Sequence, residues 1–112
     1  MANPRLAATV VLFRRVASGA QVYWVRRSEA VAFMGGFHAF PGGAVDKTDG
    51  DVRIAGGPES EPRSALVAAV RECFEETGVL FARAKTRLTA DERAEWRRKL
   101  CLRSRDPAKA SV

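Results

Sequence analysis

Only two cysteines, Cys73 and Cys101, and one histidine, His38, occur among the 112 residues. No CxxC pair is present, which argues against a disulfide scaffold and a Cys/His zinc site and allows a reducing compartment. Long apolar runs are missing too: the longest, residues 6–13, falls far short of the ~20 residues that span a bilayer, so no membrane partner is expected. Arg14 and Arg15 close that run without a small-residue cleavage site, which argues against a signal peptide. Internal repeats and low-complexity tracts are absent, and the length allows one small domain rather than two. Acidic residues are the scarcer charge, 13 against 19 Lys and Arg, for a net charge of +6. That balance favours anionic partners such as nucleotides, nucleic acid or phosphate-bearing cofactors, without choosing among them.

What is present reads as a short α/β order. Residues 6–13 and 21–27, rich in Val and carrying Tyr23 and Trp24, are expected as two strands joined by a turn at 16–20. Residues 35–43, Gly-Gly-Phe-His-Ala-Phe-Pro-Gly-Gly, suit a structured loop that turns sharply and approaches a ligand closely. The composition of residues 46–62 shifts to Asp, Gly, Pro, Glu and Ser, and that segment is expected as a surface insertion. Residues 64–77 carry Leu66, Val70, Cys73, Phe74 and Thr77 at helical spacing, with Pro62 upstream and Gly78 placed as a C-terminal cap. A short strand at 79–82 and a basic helix opening at the capping box Thr89–Glu92 follow, running to about Leu102. The apolar side of this second helix, with Trp96 and Leu100, is expected to pack on the domain or on a further half of it. Residues 103–112 show no periodicity and are expected as a flexible tail.

The first of these helices holds the chemistry. At about 100° per residue its apolar side chains fall on one face and Glu72, Glu75 and Glu76 on the opposite one. Stacked carboxylates repel by a few tenths of a kcal/mol per i,i+4 pair. A hard cation such as Mg²⁺ or Mn²⁺ would relieve that repulsion, and a solvated acidic face neutralised by Arg71 is the plainer alternative. The adjoining residues distinguish the two. Arg71-Glu-Cys-Phe-Glu-Glu-Thr-Gly-Val79 resembles R-E-U-x-E-E-x-G-U, the heart of the Nudix hydrolase box, and Phe40-Pro-Gly-Gly43 resembles the F-P-G-G that leads into it. Arg27-Ser28, Gly36 and Phe40-Pro-Gly-Gly43 are further similar to the motif preceding the box in coenzyme A diphosphatases, one arginine of which falls at Ala32 here.

This resemblance implies an α/β fold in which a mixed sheet carries the box helix, packed through Leu66, Val70, Cys73 and Phe74. It implies divalent-metal-dependent hydrolysis of a nucleoside diphosphate linked to another group, with the diphosphate of coenzyme A or an acyl derivative as substrate. Glu72, Glu75, Glu76 and Gly43 would hold Mg²⁺ or Mn²⁺. Glu72 and Glu75 would serve catalysis, with Arg71 fixing a glutamate. Arg27, Ser28, Gly36, Phe40 and Gly42 would bind substrate, and Phe33 or Phe37 beside Phe40 offers rings for a base. The family box opens G-x5-E-x7-R. Counting back from Arg71 reaches Gly57 and Arg63, so the glycine role is assigned to Gly43, with Glu59 or Glu61 as replacements for the missing glutamate. The family continues with more strands, whereas only residues 79–112 follow here. The domain, residues 1–112, is therefore expected to be incomplete at its C-terminus, with self-association or a partner supplying the rest. ADP-ribose or dinucleotide cleavage, and a non-catalytic nucleotide- or protein-binding remnant, are the alternatives. The basic helix with Arg93, Arg97, Arg98, Lys99 and Arg103 carries no base-reading motif, so nucleic acid is not the expected partner. A cytoplasmic location is expected; the coenzyme A branch includes peroxisomal members, but the chain ends Ala-Ser-Val rather than in an SKL-type signal.

Overall fold

The computed structural model describes residues 3–26, 36–57, 61–83 and 85–103, with backbone alone at 61 and 62. Among the described residues six short strands precede two helices: β1 (Ala7–Thr9), β2 (Phe13–Val16), β3 (Gly19–Val22), β4 (Val25–Arg26), β5 (His38–Ala39), β6 (Gly42–Ala44), α1 (Glu61–Thr77) and α2 (Ala90–Arg103). A 3₁₀ turn, Lys47–Asp51, lies between β6 and α1. The α/β class holds. Instead of one mixed sheet, the described strands form three antiparallel pairs, β1 with β6, β2 with β3 and β4 with β5.

The first two expected strands are each divided because the chain changes partner partway along. β1 pairs with β6, placing Ala8 opposite Gly43 and Thr9 opposite Gly42. Past Val10, whose N–H reaches the Pro41 carbonyl at 2.7 Å, the chain leaves that ladder and β2 pairs with β3. The expected turn is a two-residue hairpin connection, closed by Val16 opposite Gly19 at a positive φ of 139°. β3 ends at Val22 and β4 starts at Val25 against Ala39. The glycine-rich segment around 35–43 therefore contributes two strands rather than a loop, with Pro41 buried between them.

Helix α1 starts earlier than its apolar pattern suggested, at Glu61, and places Pro62 in its first turn, where a missing N–H costs nothing. It stops at Gly78, whose φ of 78° is open to glycine at little cost and whose N–H closes on the Phe74 carbonyl at 2.9 Å. Thr77 Oγ1 donates to the Cys73 carbonyl at 2.7 Å and accepts from the Val79 N–H at 3.0 Å. Residues 79–82 then run as irregular chain, not the expected strand. α2 opens with the anticipated capping box: Glu92 N–H donates to Thr89 Oγ1 at 3.1 Å and Thr89 N–H to Glu92 Oε2 at 2.8 Å. The expected tail lies outside the described residues from 104 onward. No described helix is long and apolar enough to cross a membrane.

α1 packs on β1, β6, the 3₁₀ turn and α2; Cys73 and Phe74 are buried as expected, but the packed surface extends past the apolar stripe onto charged positions. Val67, Ala68, Cys73 and Phe74 are buried, yet so are Glu72 and Glu75. Val67, Arg71 and Glu75, spaced by four, lie beside Ala68 and Glu72 on one face, so the charged stripe of the helix is turned inward. Leu66 is 43% exposed and Val70 half-buried. Together with Val10, Val11, Leu12, Phe13, Ala69, Cys73 and Phe81 they line an open apolar cavity of about 360 Å³. On α2 the contact with α1 is made by Arg97 and Cys101, while Trp96 is exposed with the Lys99 ammonium 5.0 Å from its ring centroid.

Candidate active site

Burying carboxylates is expensive unless charge and hydrogen bonds meet them. Here three acidic side chains are nearly inaccessible, Asp49 at 2%, Glu72 at 5% and Glu75 at 2% exposure. All three converge on Arg71. Its Nε donates to Asp49 Oδ1 at 2.8 Å and its Nη2 to Asp49 Oδ2 at 2.9 Å, a bidentate pair. Its Nη1 donates to Glu72 Oε1 at 3.1 Å and to Glu75 Oε1 at 3.2 Å, and Nη2 also reaches the Ala44 carbonyl at 3.2 Å. The hydrogen bonds to Asp49 lead in holding the guanidinium above its ordinary pKa. The fields of Asp49, Glu72 and Glu75 add to them, and burial opposes them in part.

Asp49 is the residue that sequence reasoning missed, and it corrects the reading of 46–62 as a wholly superficial segment. The 3₁₀ turn carries it inward, with Asp49 Oδ2 accepting the Asp46 N–H at 2.7 Å and Asp46 Oδ1 accepting the Thr48 N–H at 3.4 Å. A signal was available: counting forward from Gly43 through five residues reaches Asp49, a carboxylate one methylene shorter than the glutamate of G-x5-E. Arg63, reached by the backward count, donates instead to the Gly50 carbonyl at 2.8 Å. Gly57 packs against Ile54, away from the carboxylates. Glu59 lies outside the described residues, as does the side chain of Glu61.

Two glycines of β6 let this cluster sit against the sheet. A Cβ on Gly43 would lie 2.5 Å from the carboxyl carbon of Glu72, so the glutamate occupies space that any other residue would fill. A Cβ on Gly42 would strike the Ala8 carbonyl oxygen of β1, and the Gly42 N–H donates to Glu76 Oε2 at 3.0 Å. Gly36 has a φ of 82° and its carbonyl faces Arg26 Nε at 3.4 Å. The Phe40 ring lies 5.2 Å from that of Trp24, and Phe37 is exposed. Arg27, Ser28, Ala32 and Phe33 lie outside the described residues. Thus Arg71, Glu72, Glu75, Glu76, Gly42 and Gly43 are brought together, and Phe40 stands two residues from Gly42.

The donor set, carboxylate oxygens beside a main chain stripped of side chains, fits a hard divalent cation in its chemistry. As the side chains stand, Arg71 holds Glu72 and Glu75, and among the described residues no three acidic, His or Cys side chains converge in coordinating geometry.

A helix whose inward carboxylates are braced by an arginine against a glycine-rich strand defines an α/β domain built around an acidic helix. Comparison with known proteins gives that class its name. A family profile described as the NUDIX domain matches residues 3–106, and the chain belongs to the Nudix family. A Caenorhabditis elegans protein provisionally named nudix hydrolase 7 is 40% identical over 76 residues, which cover 68% of this chain and 22% of that protein. The crystal structure of a NUDIX hydrolase from Alicyclobacillus acidocaldarius superposes with a TM-score of 0.70 at 33% identity, over 93% of this chain and 51% of that one. The chain thus spans about half the length of the bacterial relative and less than a quarter of the worm one.

Proposed function

We propose that this domain hydrolyses the diphosphate of a nucleoside diphosphate linked to another group, with coenzyme A or an acyl derivative as the substrate. The observation that carries the reading is the placement of Glu72, Glu75 and Glu76 on one helix turn beside Gly42 and Gly43, braced by Arg71. Glu72, Glu75, Glu76 and the main chain of Gly43 would hold Mg²⁺ or Mn²⁺, which when bound activates water and neutralises charge on the phosphates. Arg71 fixes the directions of Glu72 and Glu75 through one nitrogen, so neither carboxylate has to be ordered when substrate arrives. Glu72, pressed between Gly43 and Arg71, is the acceptor for the proton of the attacking water. Gly42, Arg27 and Ser28 are assigned to the substrate by their motif. The segment between Asp49 and α1 is the insertion that separates the two halves of the box.

A second reading, a non-catalytic binding module, is favoured by one observation: Arg71 already holds Glu72 and Glu75. Chromatography of coenzyme A incubated with the purified chain, with and without Mn²⁺, separates the two. Metal-dependent release of adenosine 3′,5′-bisphosphate that is lost in Glu76→Gln and Glu75→Gln but kept in Arg26→Ala supports the hydrolase. Folded protein that leaves coenzyme A and ADP-ribose intact supports the binding module.

A further inference from the structure

Helix α1 ends in an electrostatically adverse way. Its last turn carries Glu75 and Glu76 and no basic residue, at the end of the helix where the peptide dipoles already place negative charge. The terminal carbonyls there have no partner within the helix. Both deficits are met from α2. Arg97 Nε donates to the Glu75 carbonyl at 3.0 Å and Arg97 Nη2 to the Glu76 carbonyl at 3.2 Å. One helical turn on, the buried Cys101 Sγ donates to the same Glu75 carbonyl at 3.5 Å. The guanidinium lies across Gly78, with Nη1 3.6 Å from where a Cβ would stand, so the closing glycine of the box is also the floor on which Arg97 rests.

We infer that Arg97 is a positioning residue for the site, holding the backbone from which the Glu75 and Glu76 carboxylates project. The inference rests on the metal-dependent reading above. Arg97 grips the two carbonyls of these residues and supplies the positive charge that the last turn of α1 lacks. Loss of that grip lets the last turn of α1 open and spreads the directions of both glutamates. Partners that orient metal-binding groups from behind typically change metal affinity by about 10- to 100-fold when removed.

The test is Mn²⁺ binding to the whole chain, followed by electron paramagnetic resonance of the free ion, together with amide hydrogen exchange. Arg97→Met should weaken Mn²⁺ binding about 10-fold. Protection should be lost at Thr77 and Gly78 and kept at Val67 and Ala68 in the middle of α1. Arg98→Met, which removes the same charge one residue away from an exposed pair with Glu95, should change affinity less than twofold. Wild-type affinity and wild-type protection in Arg97→Met would overturn the inference. Should that variant not fold, Arg97→Lys takes its place: it keeps the charge but cannot span two carbonyls, and unchanged protection at both Thr77 and Gly78 would be equally fatal. If the wild-type chain binds Mn²⁺ no better than Glu76→Gln, the metal reading fails, and the exchange pattern alone then decides whether Arg97 holds the helix end.

Discussion

Two arginine–carboxylate pairs of similar geometry occupy opposite environments in this molecule, and their comparison gives a direct test of how the site is held. Asp49 meets Arg71 through two bonds of 2.8 and 2.9 Å at 2% exposure. Glu95 meets Arg98 through bonds of 2.6 Å from Nη2 and 3.2 Å from Nε with both side chains about half exposed. Replacing Asp49 with Asn conserves shape but leaves one acceptor oxygen where three N–H donors point: Arg71 Nε, Arg71 Nη2 and the Asp46 N–H. At least one donor then faces the new amide NH₂. Breaking a buried pair from one side costs roughly 3–5 kcal/mol, and because Glu72 and Glu75 still bind Arg71 the lower end, about 3 kcal/mol, applies. For a domain near this size that corresponds to a fall in Tm of about 12–20 °C. Glu95→Gln should leave the midpoint within experimental scatter, since water replaces what the pair loses. Urea and thermal unfolding followed by circular dichroism measure both. A loss in Asp49→Asn no larger than that in Glu95→Gln would refute the claim that Asp49 anchors the carboxylate helix.

The β6 glycines give two further expectations. Gly43→Ala should displace Glu72, cutting Mn²⁺ affinity by at least tenfold, about 1.4 kcal/mol, in a calorimetric titration while the chain stays folded. Gly42→Ala meets main chain rather than a movable side chain, so it should cost more stability, about 2–3 kcal/mol, with loss of amide protection in β1. Arg71→Lys keeps the charge but not the fork, and should lower the urea midpoint by about 2 kcal/mol of stability; an unchanged midpoint would show that charge alone suffices.

Much of the fold was legible where local chemistry decides it. The helix end at Gly78, the capping box at Thr89 and the hairpin at Val16–Gly19 each follow from a few neighbouring residues, and the structure has all three. The box motif located the acidic turn of α1 without any tertiary information. What failed to show was set by partners distant in the chain. The strand at 6–13 divides because its pairing passes from β6 to β3, a decision its own residues do not contain. Asp49 lay in a segment whose composition reads as surface, and its partner inside, Arg71, is 22 residues on. Arg97 belongs to a basic helix in which five cations look alike; its placement over Gly78 comes from how α2 crosses α1.

The inward turn of α1 reverses the usual relation between hydropathy and tolerance to change. In most domains a substitution scan would spare the glutamates and punish the leucine and valine. Along this helix Glu72 should be among the least replaceable positions, because an apolar side chain of equal length takes one acceptor from Arg71 Nη1 and sits beside a strand already packed to its backbone. Leu66 and Val70, lining an open cavity, should accept serine or lysine in this chain at little cost. Those same two substitutions in a longer relative, where additional chain is available to cover that face, would report directly on whether it does. A pair of parallel scans, short chain against long, thus turns mutational sensitivity into a map of what the extra length touches.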